Sequence, residues 1–159
     1  TFPEPQAVLT PTPKVPGLDG RKMSKSYDNC IYLRDTPEVI VEKCTRQMAS
    51  DPARVRKTDP GNPDICPVFE FHKLFSSPET TELVNTECRK AGIGCFDCKK
   101  RVAAAIIERT EPVRQKIEAN LADEAGLKAV LLDGSARARK VAAETMVEVR
   151  EAMKLPALG

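Results

Sequence analysis

The stretch CKKRVAAAIIERTEPVRQKIEANL, residues 98–121, places apolar side chains at Val102, Ile106, Val113, Ile117 and Leu121. These positions lie four or seven apart, so they share one face of a helix. Pro112 falls inside the pattern and is expected to kink or split that helix. No alternating apolar pattern long enough for a sheet appears after residue 35. The fold expected from this is mainly α, a helical bundle with short connections.

The same reading extends in both directions. Thr36-Pro37-Glu38 supplies an N-cap, a proline at the first helical position and an acid at the positive end of the helix dipole. Val39, Ile40, Cys44 and Met48 follow at helical spacing. Asp59-Pro60-Gly61-Asn62-Pro63 is a break. A helix is expected from about Asp64 to Phe75, apolar at Ile65, Val68, Phe69 and Leu74. Ser77-Pro78-Glu79 opens the next by the device used at Thr36, running to about Lys90. Downstream, Leu127, Val130 and Leu131 predict a short helix closed by Gly134. Ser135 is then the cap of a last helix whose buried stripe is Val141, Thr145, Val149 and Met153.

The first thirty residues read differently. Pro3, Pro5, Pro11, Pro13 and Pro16, with Gly17 and Gly20 after them, remove amide donors and forbid helix continuation. An extended, loop-rich connector across the surface of something larger is expected here. Ile31, Tyr32 and Leu33 are β-prone but brief. Two segments follow as expected domains: 1–34 and a helical 35–159.

Composition narrows the function classes. The chain has 159 residues, 41% hydrophobic and 30% charged, which is ordinary for a globular protein. No apolar run approaches the roughly 18 residues of a membrane span, and no signal peptide is visible. A cytoplasmic setting is expected. Six cysteines without a secretory signal argue for free thiols or metal ligands rather than a disulfide framework. The chain opens on Thr1 rather than Met, so its numbering is expected to begin inside a longer protein. A net charge of +2 is uninformative, but its distribution is not. Lys14, Arg21, Lys22 and Lys25 crowd the early loop, while Arg89, Lys90, Lys99, Lys100 and Arg101 crowd a second stretch. Such clusters can meet phosphates.

Within the first cluster lies Gly17-Leu18-Asp19-Gly20-Arg21-Lys22-Met23-Ser24-Lys25-Ser26. Two ammonium groups flank a small hydroxyl residue on a glycine-flanked loop. Lysines supply mobile point charges, Ser24 and the backbone amides supply donors, and the arrangement can wrap a polyphosphate. When charge builds on a departing pyrophosphate, positioned lysines stabilise it.

Lys22-Met23-Ser24-Lys25-Ser26 matches the signature loop of class I aminoacyl-tRNA synthetases letter for letter. The wider chain resembles the bacterial tryptophanyl family, through Gly17 to Lys25, Tyr27 with Asn29 and Ile31, Thr58 to Pro63, His72-Lys73-Leu74, and Gly92-Ile93-Gly94. Asp28 departs from that family's pattern, which has glycine there. The tyrosyl family is the nearest relative. The resemblance implies a parent enzyme that activates tryptophan with ATP and charges tRNA(Trp). Lys22 and Lys25 would stabilise the transition state, and Lys22, Met23, Ser24, Lys25 and Ser26 would bind ATP. Residues 1–34 would be the C-terminal edge of the nucleotide-binding catalytic domain and 35–159 the anticodon-binding domain. The remaining catalytic domain, and a second copy in a homodimer, would be partners. The family's other ATP-binding signature and tryptophan pocket are not among these residues. This chain alone is therefore expected to be inactive.

Cys66, Cys88, Cys95 and Cys98 have the spacing C-x21-C-x6-C-x2-C. Cys95 and Cys98 can grip one metal from a tight turn, with Cys88 from the helix before and Cys66 from another helix beside it. Gly92 and Gly94 would free the backbone to bring Cys88 in. Four thiolates suit tetrahedral zinc or an iron–sulfur cluster. A subset of bacterial tryptophanyl enzymes carries a 4Fe–4S cluster on nearly this pattern, so the resemblance leans to 4Fe–4S with zinc as the alternative. Either would brace the domain and present basic side chains to the tRNA anticodon region. Cys44 lies on an apolar stripe and reads as core; His72, with no acid or nucleophile placed around it, reads as structural. On the residues alone, another class I synthetase and a non-catalytic metal-bearing RNA-binding module stay open.

Overall fold

The computed structural model describes residues 2–9, 12 and 14–156. Pro11 and Pro13 of the proline-rich lead lie outside them. Among the described residues the chain has five α-helices and no strand, apart from one antiparallel bridge between Pro16 and Lys22. Two compact units form, one of Leu9–Lys116 and one of Thr1–Val8 with Ile117–Gly159.

The larger unit holds the core. Helix α1, Pro37–Glu42, starts where Thr36 accepts a hydrogen bond from the Val39 amide, and it passes into a wider π turn at Lys43–Gln47. Ile40, Cys44 and Met48 are buried, whereas Val39 faces out. Burial pushes the Cys44 thiol up to about 12, so it stays neutral as a small apolar core group.

A 3₁₀ turn at Pro63–Ile65 precedes α2, Pro67–Phe75. The helix thus begins three residues later than its apolar pattern predicts. Pro67 is the reason: it steers the residue before it out of the helical region, and Cys66 sits extended at φ −89°, ψ 117°. Ile65 and Leu74, expected on the buried face, are not in the core; Val68, Phe69, Phe71 and His72 are. Helix α3, Pro78–Arg89, is capped by Ser77, which accepts from the Thr80 amide at 3.2 Å. It packs against α2 through Val84.

Helix α4, Cys95–Ala122, runs on through Pro112 without splitting. Proline removes one amide donor, but the helix has donors on either side to carry it across. Its core residues are Cys98, Val102, Ala103 and Ile106; the stripe beyond Pro112 is not buried, with Val113 and Leu121 exposed. At the bend-prone site Glu111 takes both Arg114 and Gln115, which hold its carboxyl down at about 2.

In the smaller unit, α5 spans Glu124–Ala152 as one helix, capped by Asp123 accepting from the Gly126 amide at 2.9 Å. The expected break at Gly134 and cap at Ser135 do not occur. Glycine weakens a helix by about 1 kcal/mol relative to alanine but leaves the amide ladder intact. None of α5 is buried among the described residues, so Val141 and Met153 stand exposed rather than forming a buried stripe. No helix among the described residues is long and apolar enough to cross a membrane.

Candidate functional site

The early loop is anchored to the core, not draped over a surface. Leu18 is buried in the main apolar cluster, with Met23 and Ile31 packed against it. The Leu18 amide donates to the Asn29 carbonyl at 2.9 Å and the Met23 amide to the Val15 carbonyl at 3.0 Å, closing the loop at its base. Gly20 takes φ +80°, open to glycine at little cost, and its missing Cβ would meet Pro67 at 2.9 Å.

The Asn29 side chain fills the loop from inside. It accepts from the Ser24 amide at 2.8 Å, and donates to Asp19 Oδ1 at 2.7 Å and to the Lys22 carbonyl at 3.3 Å. Its amide, with Arg21, holds the Asp19 carboxyl below the usual carboxylate range. Arg21 in turn lies over the Tyr27 ring at 4.3 Å.

Lys22 and Lys25 are exposed, and neither forms an ion pair among the described residues. The amides of Met23, Ser24, Tyr27 and Asp28 are spent inside the loop. The Ser24 hydroxyl lies 2.9 Å from that of Ser26, while its N–H is taken by the Asn29 side chain. Asp28 ends the short 3₁₀ turn Lys25–Tyr27 in the left-handed region, at φ 51°. Aspartate is held there at a cost of roughly 1 kcal/mol that glycine would not bear.

The four cysteines lie at helix ends. Cys66 caps the start of α2, Cys88 lies in the last turn of α3, and Cys95 and Cys98 occupy the first turn of α4. Cys66 comes from the extended residue before its helix rather than from the helix. Cys66 and Cys98 are buried, Cys88 and Cys95 half-buried, and all four are free thiols. Burial pushes the Cys98 thiol up to about 12, with the other three cysteines adding to it. Cys88 is raised by burial against the opposing pull of Arg54. In the turn after Cys88, Ala91 takes the left-handed region at φ 61°, and a Cβ at Gly92 would collide with the Glu87 carboxylate. As placed, no three His, Cys, Asp or Glu side chains among the described residues stand close enough to hold a single ion.

Comparison with known proteins decides the family. The family model described as tRNA synthetases class I (W and Y) matches residues 1–111. The chain belongs to this family of class I tRNA synthetases. Tryptophan–tRNA ligase from Ralstonia nicotianae is 48% identical over 154 residues, covering 97% of this chain and 38% of that one. The ligase from Thermotoga maritima is 45% identical, over 97% of this chain and 47% of its own length. A tryptophanyl-tRNA synthetase from Campylobacter jejuni, solved also in complex with ADP and tryptophan, superposes with TM-score 0.75 at 27% identity. That superposition covers 89% of this chain and 45% of the Campylobacter one. The chain thus spans less than half the length of these relatives.

In this synthetase chain the five basic residues of the second cluster are not equivalent. Arg89 is tied to Asp64 at 2.8 Å and Lys90 to Glu87 at 2.7 Å. Lys99, Lys100 and Arg101 form no ion pair among the described residues, and Lys100 lies over the Phe96 ring at 4.6 Å. Sequence reasoning missed three contributors. Arg54 reaches the Cys88 sulfur at 3.8 Å, His72 places Nε2 3.4 Å from that of Cys98, and Asn29 organises the loop. The hint at Asn29 is its place in the family resemblance, two residues after Tyr27. Nothing local marked Arg54 or His72, whose partners lie 34 and 26 residues away.

Proposed function

We propose that this chain is the C-terminal part of a bacterial tryptophan–tRNA ligase, contributing the ATP-phosphate loop and the tRNA anticodon-binding domain. The observation that carries the reading is the exposed, unpaired Lys22 and Lys25 on a loop whose backbone is locked from within. Residues 1–34 are read as the edge of the catalytic nucleotide-binding domain and 35–159 as the anticodon-binding domain. Lys22, Met23, Ser24, Lys25 and Ser26 meet ATP, and the two ammonium groups take up the charge that develops on departing pyrophosphate. The tryptophan pocket belongs to the rest of a homodimeric, cytoplasmic enzyme, so this chain alone does not catalyse the reaction.

Cys66, Cys88, Cys95 and Cys98 are read as holding a 4Fe–4S cluster, with zinc as the alternative. What supports the reading is the chemistry of the donors, four soft thiols with the Arg54 guanidinium beside Cys88, although as placed no three of them stand close enough for a single ion. Arg54 Nε is buried without a hydrogen-bond partner, an orphan donor of the kind that a thiolate–sulfide group would satisfy. Gly61 lies so near the Cys88 sulfur that a Cβ there would come within 2.5 Å of it. When bound, the cluster would cross-link the ends of three helices. Anaerobically purified protein is expected to contain iron and acid-labile sulfide at about four each per chain. One zinc without sulfide would select the alternative, and neither metal would remove the cluster from this reading.

Lys99, Lys100 and Arg101 are read as meeting the anticodon arm of tRNA(Trp), with Arg89 and Lys90 available once their surface pairs exchange for phosphates. Such exposed pairs are worth only about 0–1 kcal/mol, so exchange is inexpensive. Replacing Lys99, Lys100 and Arg101 together by alanine is expected to weaken tRNA(Trp) binding at least tenfold at low salt and to flatten its salt dependence. Unchanged affinity would exclude this surface. Equal binding of cognate and non-cognate tRNA would leave only a generic basic face.

A further inference from the structure

Asn29 lies outside the five-residue signature but is woven into it more tightly than any residue within. It is 3% exposed, and its side chain spends its acceptor on the Ser24 amide and its donors on Asp19 and the Lys22 carbonyl. Those contacts straddle Met23, so one amide group spans the backbone between the two lysines. Its own carbonyl takes the Leu18 amide, which ties that bridge to the core. The approach is close: any Cβ at Gly17 would collide with this side chain. On the outer side Asp19 passes the restraint to Arg21 through a 2.7 Å bond from Nε, and Arg21 covers Tyr27.

The geometry assigns Asn29 as a positioning residue of the phosphate loop, holding the backbone from Lys22 to Ser24 so that the lysine ammonium groups meet the leaving pyrophosphate. This rests on reading the loop as a polyphosphate site. A lysine is a long, mobile point charge, and its transition-state value depends on how little it must reorganise. A buried amide that bonds on both sides of Met23 removes backbone freedom at the base of both lysines. Asparagine is suited to this because it donates and accepts at once. Aspartate of the same shape would turn a carboxylate oxygen toward both Asp19 and the Lys22 carbonyl.

The test is Asn29→Asp in the full-length ligase bearing this sequence, followed by tryptophan-dependent ATP–pyrophosphate exchange. The kcat is expected to fall by about 30- to 100-fold, with the KM for tryptophan changed less than twofold. Adding Asp19→Asn restores a donor opposite the new carboxylate and should recover at least tenfold of the loss. A role confined to stability would lower the melting temperature and the active fraction, leaving kcat per folded molecule intact and the rescue without effect; that outcome would overturn the assignment. Should Asn29→Asp not fold, Asp19→Ala removes only the exposed partner. It should cost kcat about five- to tenfold, and unchanged kcat there would equally overturn the assignment. The lysine pair separates the two levels. If Lys22→Ala with Lys25→Ala leaves exchange intact, the phosphate-loop reading itself falls. If exchange is lost with the lysines but kept with Asn29→Asp, only the positioning role falls.

Discussion

Replacing Lys22 and Lys25 together by alanine is expected to lower ATP–pyrophosphate exchange by the full-length ligase about 10³-fold, with little change in stability. A single preorganised charge-stabilising donor is worth about 10²–10³ in kcat, and two that act on one leaving group do not add fully. Stability should hold because both side chains are exposed and neither closes an ion pair among the described residues. The loop keeps its shape through Asn29, Asp19 and Leu18 whether or not the ammonium groups are present. On the proposed reading of the loop as an ATP-phosphate site, the loss should fall on kcat rather than on the KM for tryptophan. Exchange kinetics together with a thermal melt check both halves. A variant that loses activity by unfolding would show a lowered melting temperature, which the exposed positions do not predict.

The largest effect on stability is expected at Phe71→Ala, about 3–5 kcal/mol. Phe71 is 1% exposed, lies in the one apolar cluster that joins α1, α2, α3 and α4, and stacks on Phe75 with ring centroids 6.1 Å apart. Truncation removes the transfer energy of the ring and leaves a cavity that several helices would have to move together to fill. Since folded domains of this size are stable by only about 5–15 kcal/mol in total, the variant should be partly unfolded at physiological temperature. Urea melts of this chain measure it, and Phe96→Ala serves as the contrast. Phe96 is 55% exposed between two of the cysteines, and its replacement should shift stability by no more than about 0.5 kcal/mol. Equal losses at the two positions would mean that the core is not where the burial places it.

Helix starts were legible because their signals are local. Thr36 and Ser77 each precede proline and glutamate, and both cap their helices as read. The same local logic does not hold at Gly134, which reads as a stop but lies inside α5. A glycine ends a helix only when the following residues lack the propensity to continue, and here alanine, arginine and lysine continue it. It also misjudged Ile65, whose apolar character promised burial and which stands exposed because the turn before Pro67 faces it outward.

The sequence by itself determined the helical class, the two proline-led helix starts, the position of the lysine loop and the spacing of the four cysteines. Each of these follows from residues within a few positions of one another, where propensity, capping and motif spacing act without the rest of the chain. Only the tertiary structure decided which apolar stripes are buried. It also brought His72 and Arg54 to the cysteines and showed that the Ser24 amide is already committed to Asn29. Those outcomes depend on groups distant in sequence meeting in space, since a buried polar atom takes whatever partner the packing delivers and a stripe is buried only where another surface arrives to cover it.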